Sequence, residues 1–309
     1  MQPVIFIMGP TAVGKSAVAL EIAQRIGGEL INVDSAQIYR GLDIGTAKPS
    51  AEVRAQVPHH LLDIRDPAQP YSAAEFVTDA QRAIAAVEAR HRVPILVGGT
   101  GLYFQALEQG LSPMPSADRA VRARLEALEA EWGSSGLHER LQAIDPEAAA
   151  RLHPNDSQRI QRALEVYELT GEPLSAVQRR PGVPGLTVPP VTVILAPQER
   201  RWLHERIERR LRRMYARGLV GEVAMLRRRK DLSLELPSMR AVGYRQTWLY
   251  LEGDCDHATM VAQALRATRQ YAKRQLTWLR RQDPSIRLPV REGVTEAVHR
   301  TITERLGRL

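Results

Sequence analysis

The chain has 309 residues, 44% of them hydrophobic and 25% charged, a balance that excludes a protein disordered throughout its length. Lysine and arginine number 43 against 35 aspartate and glutamate residues, and the net charge of +8 favours a polyanionic partner, because phosphate contacts release condensed counterions. A basic protein without such a partner is the alternative. The single cysteine, Cys255, excludes an internal disulfide and is typical of a reducing cytoplasm.

Membrane and export signals are not apparent in the sequence. No apolar stretch approaches the roughly 20 residues that span a bilayer. The apolar segment 4–8 is too short for a secretory signal, and no basic residue precedes it. We therefore expect a cytoplasmic protein with no membrane partner, and nothing in the sequence requires more than a monomer.

The N-terminal part alternates strand and helix patterns. Continuous branched apolar runs predict strands buried on both faces, and apolar side chains four residues apart predict amphipathic helices. The predicted strands are 4–8, 30–33 and 93–97, with helices over 16–26 and from Ser72 onwards. This order is typical of an α/β fold of the P-loop NTPase-like kind, a parallel sheet with helices on both faces. Ligands in such folds bind beyond the carboxyl ends of the strands, where Gly9, Asp34 and Gly98 lie.

A change of composition near residues 112–115 marks a different region. Between there and about residue 185 the patterns are helical, whereas residues 191–195 again predict a strand. The middle segment is therefore predicted to be a helical insertion into an α/β domain. The predicted divisions are 1–113 for the first part of the core, 114–186 for the insertion, and 187–309 for the second part of the core with its basic helices.

One segment matches the phosphate-binding pattern G-x-x-x-x-G-K-[ST] in full, and it lies between a buried strand and a helix, as the motif requires. It consists of Gly9, Pro10, Thr11, Ala12, Val13, Gly14, Lys15 and Ser16. Glycine lets backbone N–H groups face a phosphate, Lys15 adds a cation, and the Ser16 hydroxyl can bind Mg²⁺. A glycine-rich turn that binds nothing is the alternative. The pattern indicates a phosphate ligand without distinguishing ATP, GTP and a prenyl diphosphate.

Two further loops follow predicted strands. Asp34 ends the second strand, where a carboxylate can bind Mg²⁺ through water or act as a general base, and a turn-forming aspartate is the alternative. The third strand leads into a glycine loop, residues 98–101, in which Thr100 offers a hydroxyl that we expect beside Asp34. A purely structural turn is the alternative there. His59 and His60 are assigned no role.

Several long stretches together resemble the tRNA dimethylallyltransferase family, and they spread over nearly the whole chain. They are GPTAVGKS at 9–16, DSAQIYRGLDIGTAKP at 34–49, PHHLLDIRDPAQPYSAAEF at 58–76, PILVGGTGLYFQAL at 94–107, HPNDSQRIQRALEVYELTG at 153–171, AVGYRQ at 241–246 and ATRQYAKRQLTWLR at 267–280. Val13 and Tyr271 stand where other residues are also common in that family, and neither is expected to have a chemical role.

The resemblance implies a fold similar to that of small P-loop kinases, with a helical insertion that grips the anticodon stem-loop of tRNA. It implies that the phosphate loop holds dimethylallyl diphosphate instead of ATP, and we expect Mg²⁺ as the cofactor. The acceptor is the N6 amine of the adenine 3′-adjacent to the anticodon, in tRNAs that read codons starting with U. The products are N6-(dimethylallyl)adenosine and diphosphate.

The resemblance also implies roles for particular residues. Asp34 matches the aspartate that accepts the proton of the adenine amine, and Thr100 matches the threonine that helps to fix substrate and diphosphate. Ser35, Ala36 and Gln37 fall in the stretch that contacts the target base. The other predicted tRNA contacts are Arg122, for which Arg124 is an alternative, and Gln158, Arg159, Ile160, Gln161, Arg162, Met239, Arg240, Ala241, Val242, Gly243 and Tyr244.

Two basic helices follow the predicted insertion, each with its cations on one face. The first carries Arg206, Arg210, Arg213 and Arg217, and the second carries Arg266, Arg269, Lys273 and Arg280. We expect some of them, Arg206 and Arg210 above all, to help the phosphate loop bind diphosphate, and others to meet tRNA phosphates. The alternative is that both basic faces are exposed to solvent and bind neither diphosphate nor tRNA.

Three other functions fit parts of this pattern. A small-molecule P-loop kinase would share the phosphate loop, the sheet and the Mg²⁺, but it would require ATP and leave the basic insertion unexplained. An RNA-binding NTPase or scaffold would bind tRNA without transfer chemistry. A relative that prenylates free adenine nucleotides would not need the insertion.

Overall fold

The computed structural model describes residues 4–284 and 286–307. Within these residues no helix is long and apolar enough to cross a membrane. The chain divides into two units, the first made of residues 1–108 with 186–309 and the second of residues 109–185. Residues 109–113, predicted to belong to the core, thus fall in the second unit, and residue 186 falls in the first.

The first unit is built on a six-stranded sheet. Its strands are β1 (Ile5–Met8), β2 (Gly28–Val33), β3 (His59–His60), β4 (Val93–Gly98), β5 (Val191–Ala196) and β6 (Ile286–Pro289). All pairs are parallel, in the order β3-β2-β4-β1-β5-β6, which confirms the predicted fold class. The sequence did not predict β3, whose two residues are too few to form a pattern, or β6, an edge strand with no fully buried residue.

Helices surround this sheet and form the second unit. They are α1 (Lys15–Ile26), α2 (Ala51–Gln56), α3 (Ala73–Glu88), α4 (Gly101–Gln109), α5 (Arg119–Ile144), α6 (Pro146–Arg151), α7 (Ser157–Thr170), α8 (Leu174–Gln178), α9 (Arg200–Ala216), α10 (Leu219–Arg227), α11 (Tyr244–Glu252), α12 (His257–Arg280) and α13 (Val294–Leu306). Successive residues of β1 are buried on opposite faces, as its continuous apolar run predicts. Ile5 and Ile7 join a hydrophobic cluster with α1, whereas Phe6 packs on Phe104 of α4 with ring centroids 5.0 Å apart.

A second hydrophobic cluster of the first unit holds the long loop after β2 against α9, α10 and α11. Ile38 and Leu42 of the loop are buried with Leu211, Leu219 and Tyr244. The side chain of Glu222 accepts the backbone N–H groups of three successive loop residues and the hydroxyl of a tyrosine. These donors are Asp43 at 3.1 Å, Ile44 at 2.7 Å, Gly45 at 3.2 Å and Tyr244 at 2.6 Å. The loop is therefore well fixed although it contains little regular structure.

The second unit is helical, with a core between α5 and α7. Leu125 of α5 and Ile160 and Leu164 of α7 are completely buried there. Helix α5 is interrupted at Gly133, whose φ of 71° is left-handed and favours glycine. The elements α5 to α8 agree with the helical character predicted for the middle segment. The unit also has its own hydrophobic core.

The register of the central strands places three loops side by side. Met8 of β1 and Val33 of β2 both pair with Gly98 of β4, so the three strands end at one level. A Cβ atom at Gly98 would lie 2.0 Å from Val33 O, a distance that no real side chain tolerates. Glycine at this position therefore allows β2 and β4 to stay paired up to their last residues.

This close approach predicts the effect of a single methyl group on stability. We expect Gly98→Ala to lower the free energy of unfolding by about 1–3 kcal/mol, because the strands must move apart to admit it. Gly221→Ala is the control, since Gly221 lies in α10 with no other atom within 4 Å of the added Cβ. Urea unfolding followed by tryptophan fluorescence measures both variants. Equal stability of the two variants would contradict the described packing at Gly98.

Candidate active site

The phosphate loop, residues 9–16, joins the end of β1 to the start of α1. Its backbone is left-handed at Ala12 (φ 64°) and at Gly14 (φ 107°), a geometry that turns successive N–H groups toward one side. A side chain at Gly9 would lie 2.8 Å from Val13 Cγ1, so glycine allows β1 to enter the loop this closely. The loop therefore forms an anion-binding concavity at the N-terminus of α1.

Lys15 is the first residue of α1, and its ammonium lies 3.5 Å from Pro10 O within the loop. Burial removes solvating water and lowers the pKa of Lys15 to about 8, although nearby Asp34 opposes this shift; Arg210 adds to it. An anion in the concavity would stabilise the charged form of this lysine. The site is therefore electrostatically suited to a phosphate ligand.

Two arginines of α9 reach the phosphate loop. Arg206 donates from Nε to Ala12 O at 2.8 Å. Arg210 donates from Nη1 to Thr11 Oγ1 at 3.1 Å and from Nη2 to Thr46 O at 3.2 Å. Burial lowers the pKa of both guanidinium groups, since water solvates their charge poorly at these positions. The structure thus brings both predicted arginines to the phosphate loop.

Asp34 follows β2 directly. Its Oδ1 accepts the N–H of Ala36 at 2.9 Å and that of Gln37 at 3.4 Å, the turn-forming contacts that the sequence left as an alternative. Among the described residues, no hydrogen bond is donated to Oδ2. One carboxylate oxygen therefore fixes the orientation of the group, and the second is left to a ligand.

The glycine loop after β4 lies against this turn. The N–H groups of Gly99 and Thr100 both donate to Val33 O at 3.3 Å. Ser35 N donates to Thr100 Oγ1 at 3.2 Å, so the threonine hydroxyl lies one residue from Asp34, as the sequence led us to expect. These contacts join the loop after β4 to the loop after β2.

Gln275 of α12, which the sequence did not single out, connects two of these loops. Its Oε1 accepts Thr11 N at 2.8 Å, and its Nε2 donates to Gly99 O at 2.9 Å. Gln275 is only 6% exposed. A polar residue on the buried face of an amphipathic helix was the one signal in the sequence, because buried amides need hydrogen-bond partners.

Two cavities meet at this edge of the sheet. The larger has a volume of about 650 Å³ and is lined by Lys15, Ser16 and the arginines of α9. The smaller has a volume of about 330 Å³ and is lined by the loop after β2 and by the segment 237–244. Residues that line both are Thr11, Ala12, Asp34, Arg210, Met214 and Tyr271. Asp34 therefore lies where the two cavities meet.

Tyr271, for which the sequence suggested no chemical role, is thus part of the candidate site. Burial together with nearby Asp34 raises the pKa of its hydroxyl, and the neighbouring Thr100 opposes this shift. Thr100 itself does not belong to the described lining of either cavity. The threonine therefore borders the site through its contact with Ser35.

The other predicted residues of the first unit differ in whether they line a cavity or are buried in a core. Ser35, Ala36, Arg240, Ala241, Val242, Gly243 and Tyr244 line the smaller cavity, and Gln37 lines the larger one. Gln37 also donates to Thr46 O at 3.0 Å. The side chains of Met239 and Val13 are completely buried in hydrophobic clusters, and their predicted contacts with tRNA and diphosphate stay predictions.

The second unit carries the remaining predicted tRNA contacts. Arg122 and Arg162 both pair with the buried carboxylate of Glu165, at 2.8 Å for the Arg122 pair. Burial raises the pKa of Glu165, but hydrogen bonds from Arg122, Arg162 and the Asp118 N–H, together with the charge of Arg122, hold the pKa below its usual range. Arg124, the alternative to Arg122, pairs with Glu168 instead. Glu165 thus fixes the positions of both arginines.

Helix α7 presents its predicted contacts in different ways. Gln158 and Arg159 are exposed near its N-terminus. Gln161 is half-buried and donates to Glu129 Oε2 at 2.6 Å. Ile160 is completely buried in the core of the second unit, and its predicted tRNA contact stays a prediction.

The oxygen ligands available for a metal ion are few. No group of three or more His, Cys, Asp or Glu side chains is arranged to hold a metal within the described parts of the chain. The Ser16 hydroxyl and the Asp34 carboxylate both line the larger cavity. This small set of hard oxygen ligands fits Mg²⁺ and does not fit Zn²⁺.

Sequence comparisons identify close relatives. The family model described as IPP transferase matches residues 37–282. A tRNA dimethylallyltransferase of Halorhodospira halophila is 68% identical over 305 residues, which cover 99% of this chain and 98% of that one. A tRNA dimethylallyltransferase of Stenotrophomonas maltophilia is 57% identical over 281 residues, which cover 89% of each chain.

Solved structures agree with this relationship. The full-length tRNA isopentenylpyrophosphate transferase of Bacillus halodurans has a TM-score of 0.72 and 37% identity, with 100% of this chain and 98% of that chain covered. A eukaryotic dimethylallyltransferase studied while acting on tRNA has a TM-score of 0.74 and 29% identity, with 90% of this chain and 70% of that chain covered. The family model and these identities establish that the chain belongs to the IPP transferase family.

Proposed function

We propose that this enzyme transfers the dimethylallyl group of dimethylallyl diphosphate to the N6 amine of a tRNA adenine, the one 3′-adjacent to the anticodon in tRNAs that read codons starting with U. The observation that carries the proposal is the position of Asp34 where the two cavities meet. The larger cavity contains the phosphate loop, and the smaller one is lined by segments expected to contact the base. A proton acceptor between donor and acceptor is what such a transfer requires.

The relatives support these substrates. The proteins of Halorhodospira halophila and Stenotrophomonas maltophilia are named tRNA dimethylallyltransferases, and the eukaryotic structural neighbour acts on tRNA. The net charge of +8 supports a polyanionic acceptor. A tRNA substrate fits the cytoplasmic location expected from the sequence, and action as a monomer stays a prediction.

The chemical step needs a base because the acceptor amine is a weak nucleophile, with its lone pair delocalised into the adenine ring. The nitrogen forms a bond to the allylic C1 of the donor while the bond from C1 to the diphosphate oxygen breaks, and the diphosphate leaves with the electron pair. Asp34 accepts the proton that the nitrogen loses. Because its Oδ1 holds the N–H groups of Ala36 and Gln37, Oδ2 is the oxygen that receives this proton.

The leaving diphosphate needs concentrated positive charge. Lys15, Arg206 and Arg210 lie at the phosphate loop, and a charge that water solvates poorly acts more strongly on an anion. The Ser16 hydroxyl would hold Mg²⁺, which would supply further positive charge at the diphosphate. Stabilising the departing diphosphate lowers the barrier to cleavage of the allylic bond.

The acceptor adenine must leave its stack to reach Asp34. An anticodon loop offers unpaired bases that can be turned outward, and aromatic side chains are a common surface for such bases. Tyr271 lines the smaller cavity and is partly exposed, whereas Tyr39 and Tyr244 are packed in a hydrophobic core. The Tyr271 ring supports the smaller cavity as the site of the target base.

Product analysis tests the proposed reaction. The protein is incubated with Mg²⁺, unmodified tRNA and labelled dimethylallyl diphosphate, and the digested tRNA is mapped by mass spectrometry. We expect N6-(dimethylallyl)adenosine at the position 3′-adjacent to the anticodon. ATP-dependent phosphate transfer without this product would contradict the proposal and favour a P-loop kinase.

The role of Asp34 predicts the behaviour of Asp34→Asn, which keeps the size of the side chain and removes the proton acceptor. We expect kcat to fall by about 10²–10⁴-fold, the usual contribution of a general base. Affinity for tRNA, measured by filter binding, should change little. Asp254→Asn, an exposed change of the same charge outside both cavities, serves as the control. Equal losses of turnover and tRNA binding would argue against a base.

The environment of Lys15 predicts a pH dependence for donor binding. Its pKa is lowered to about 8 in the free protein, so the ammonium loses its proton as the pH rises through that value. The dissociation constant of dimethylallyl diphosphate, measured by equilibrium binding, should therefore increase above about pH 8. Lys15→Met should bind the donor weakly, and its dissociation constant should not increase above about pH 8. If the dissociation constant of Lys15→Met increased in the same way, a group other than Lys15 would be responsible.

Exposed cations of the second unit predict a salt dependence for tRNA binding. We expect Arg159→Gln to weaken tRNA binding and to reduce the slope of log affinity against log salt by about 0.7–0.9, the effect of one lost phosphate contact. Turnover at saturating tRNA should not change. Arg300→Gln, an exposed change on α13, is the control. If the slope of log affinity against log salt were the same as in the wild type, Arg159 would not be part of the RNA-binding surface.

A further inference from the structure

Gln275 joins two loops that carry different parts of the proposed chemistry. Its side-chain oxygen accepts the N–H of Thr11 in the phosphate loop at 2.8 Å, and its side-chain nitrogen donates to Gly99 O in the glycine loop at 2.9 Å. Thr11 also accepts from Arg210, and Gly99 directly precedes Thr100. A single amide therefore connects the loop that would hold the donor to the loop that borders the Asp34 turn.

The surroundings of this amide leave it little freedom. Gln275 is nearly completely buried, and a Cβ atom at Gly99 would lie 2.3 Å from its Nε2, so glycine allows the contact. Helix α12 packs against α9 and α11, which fixes the backbone from which Gln275 projects. The glutamine amide offers a donor and an acceptor side by side, whereas glutamate offers only acceptors and methionine offers no donor. Loss of either bond would leave a partly buried backbone group without this partner.

We propose that Gln275 is a positioning residue, which sets the separation between the bound diphosphate and the acceptor amine. This inference rests on the proposed transfer reaction. Gln275 lines the larger cavity, but its amide is already bonded to both loops, and each loop keeps internal contacts of its own with which to hold a substrate. Transfer also requires the reacting atoms to approach within about 3–3.5 Å, and that distance depends on how the two loops are held together. Gln275 thus acts on turnover and not on binding.

The test uses Gln275→Met, a variant of similar length that removes both hydrogen bonds without adding a charge. We expect kcat at saturating substrates to fall by about tenfold or more, as for the loss of buried hydrogen bonds that matter in the transition state. Dissociation constants for dimethylallyl diphosphate and tRNA should stay within about threefold of the wild type. Gln270→Met is the matched control, because Gln270 is exposed on the same helix.

A double-variant cycle identifies the loop through which Gln275 acts. In a protein that already carries Thr100→Val, the Gln275→Met change should lower kcat by a smaller factor than it does in the wild type, because both changes act on the same loop. Fully additive losses would overturn the proposal. If Gln275→Met does not fold, Gln275→Glu keeps an acceptor for Thr11 N and removes the donor to Gly99 O, and the same fall in kcat at saturating donor is expected.

Two other outcomes overturn the inference. A lowered melting temperature with wild-type kcat for each folded molecule would make Gln275 a packing residue only. A weaker affinity for the donor with unchanged kcat would make it a substrate contact. Failure of the proposed function itself is distinct, since the wild-type protein would then form no prenylated tRNA.

Discussion

The parallel pairing of β1, β2 and β4 is the constraint on which the site depends. Because Met8 and Val33 both pair with Gly98, the phosphate loop, the Asp34 turn and the glycine loop start at one level. Strand hydrogen bonds hold these starting points more rigidly than contacts between loops could. The geometry between a phosphate ligand and a carboxylate is thus set by the sheet, and side chains such as Gln275 refine it.

Charge is the second organising feature of the site. Lys15 and Arg210 are cations in poorly solvated positions, and the Asp34 carboxylate offsets part of their repulsion. Such an arrangement costs free energy in the free protein, and an anionic ligand offsets that cost when it binds. The same cations would stabilise a departing diphosphate, so one arrangement serves donor binding and bond cleavage. The carboxylate, placed between the cavities, is then available to the acceptor.

Sequence patterns predicted the features that local periodicity and motif spacing encode. The phosphate loop, the strands that carry it and Asp34, and the helical middle segment belong to this class. The two-residue β3 has no such pattern. Motif stretches also do not separate exposed from buried positions, which is why Ile160 and Met239 were grouped with accessible neighbours although both pack in cores.

The sequence led us to expect Arg206 and Arg210 at the phosphate loop, but it did not predict the other contacts between distant parts of the chain. Gln275 and Thr11 are separated by 264 positions, and Arg210 and Thr46 by 164. No local pattern states that these residues meet, because their proximity follows from the packing of α9 and α12. The pairing of Arg122 with Glu165 across the second unit has the same origin.

The central claim is that donor and acceptor meet at Asp34. The most direct measurement is a crystal structure of the protein with an unreactive thio-analogue of dimethylallyl diphosphate and an unmodified anticodon stem-loop. We predict the diphosphate at residues 12–16, with the adenine N6 within about 2.6–3.2 Å of Asp34 Oδ2 and facing the allylic carbon. A diphosphate bound elsewhere, or an adenine held away from Asp34, would contradict this account.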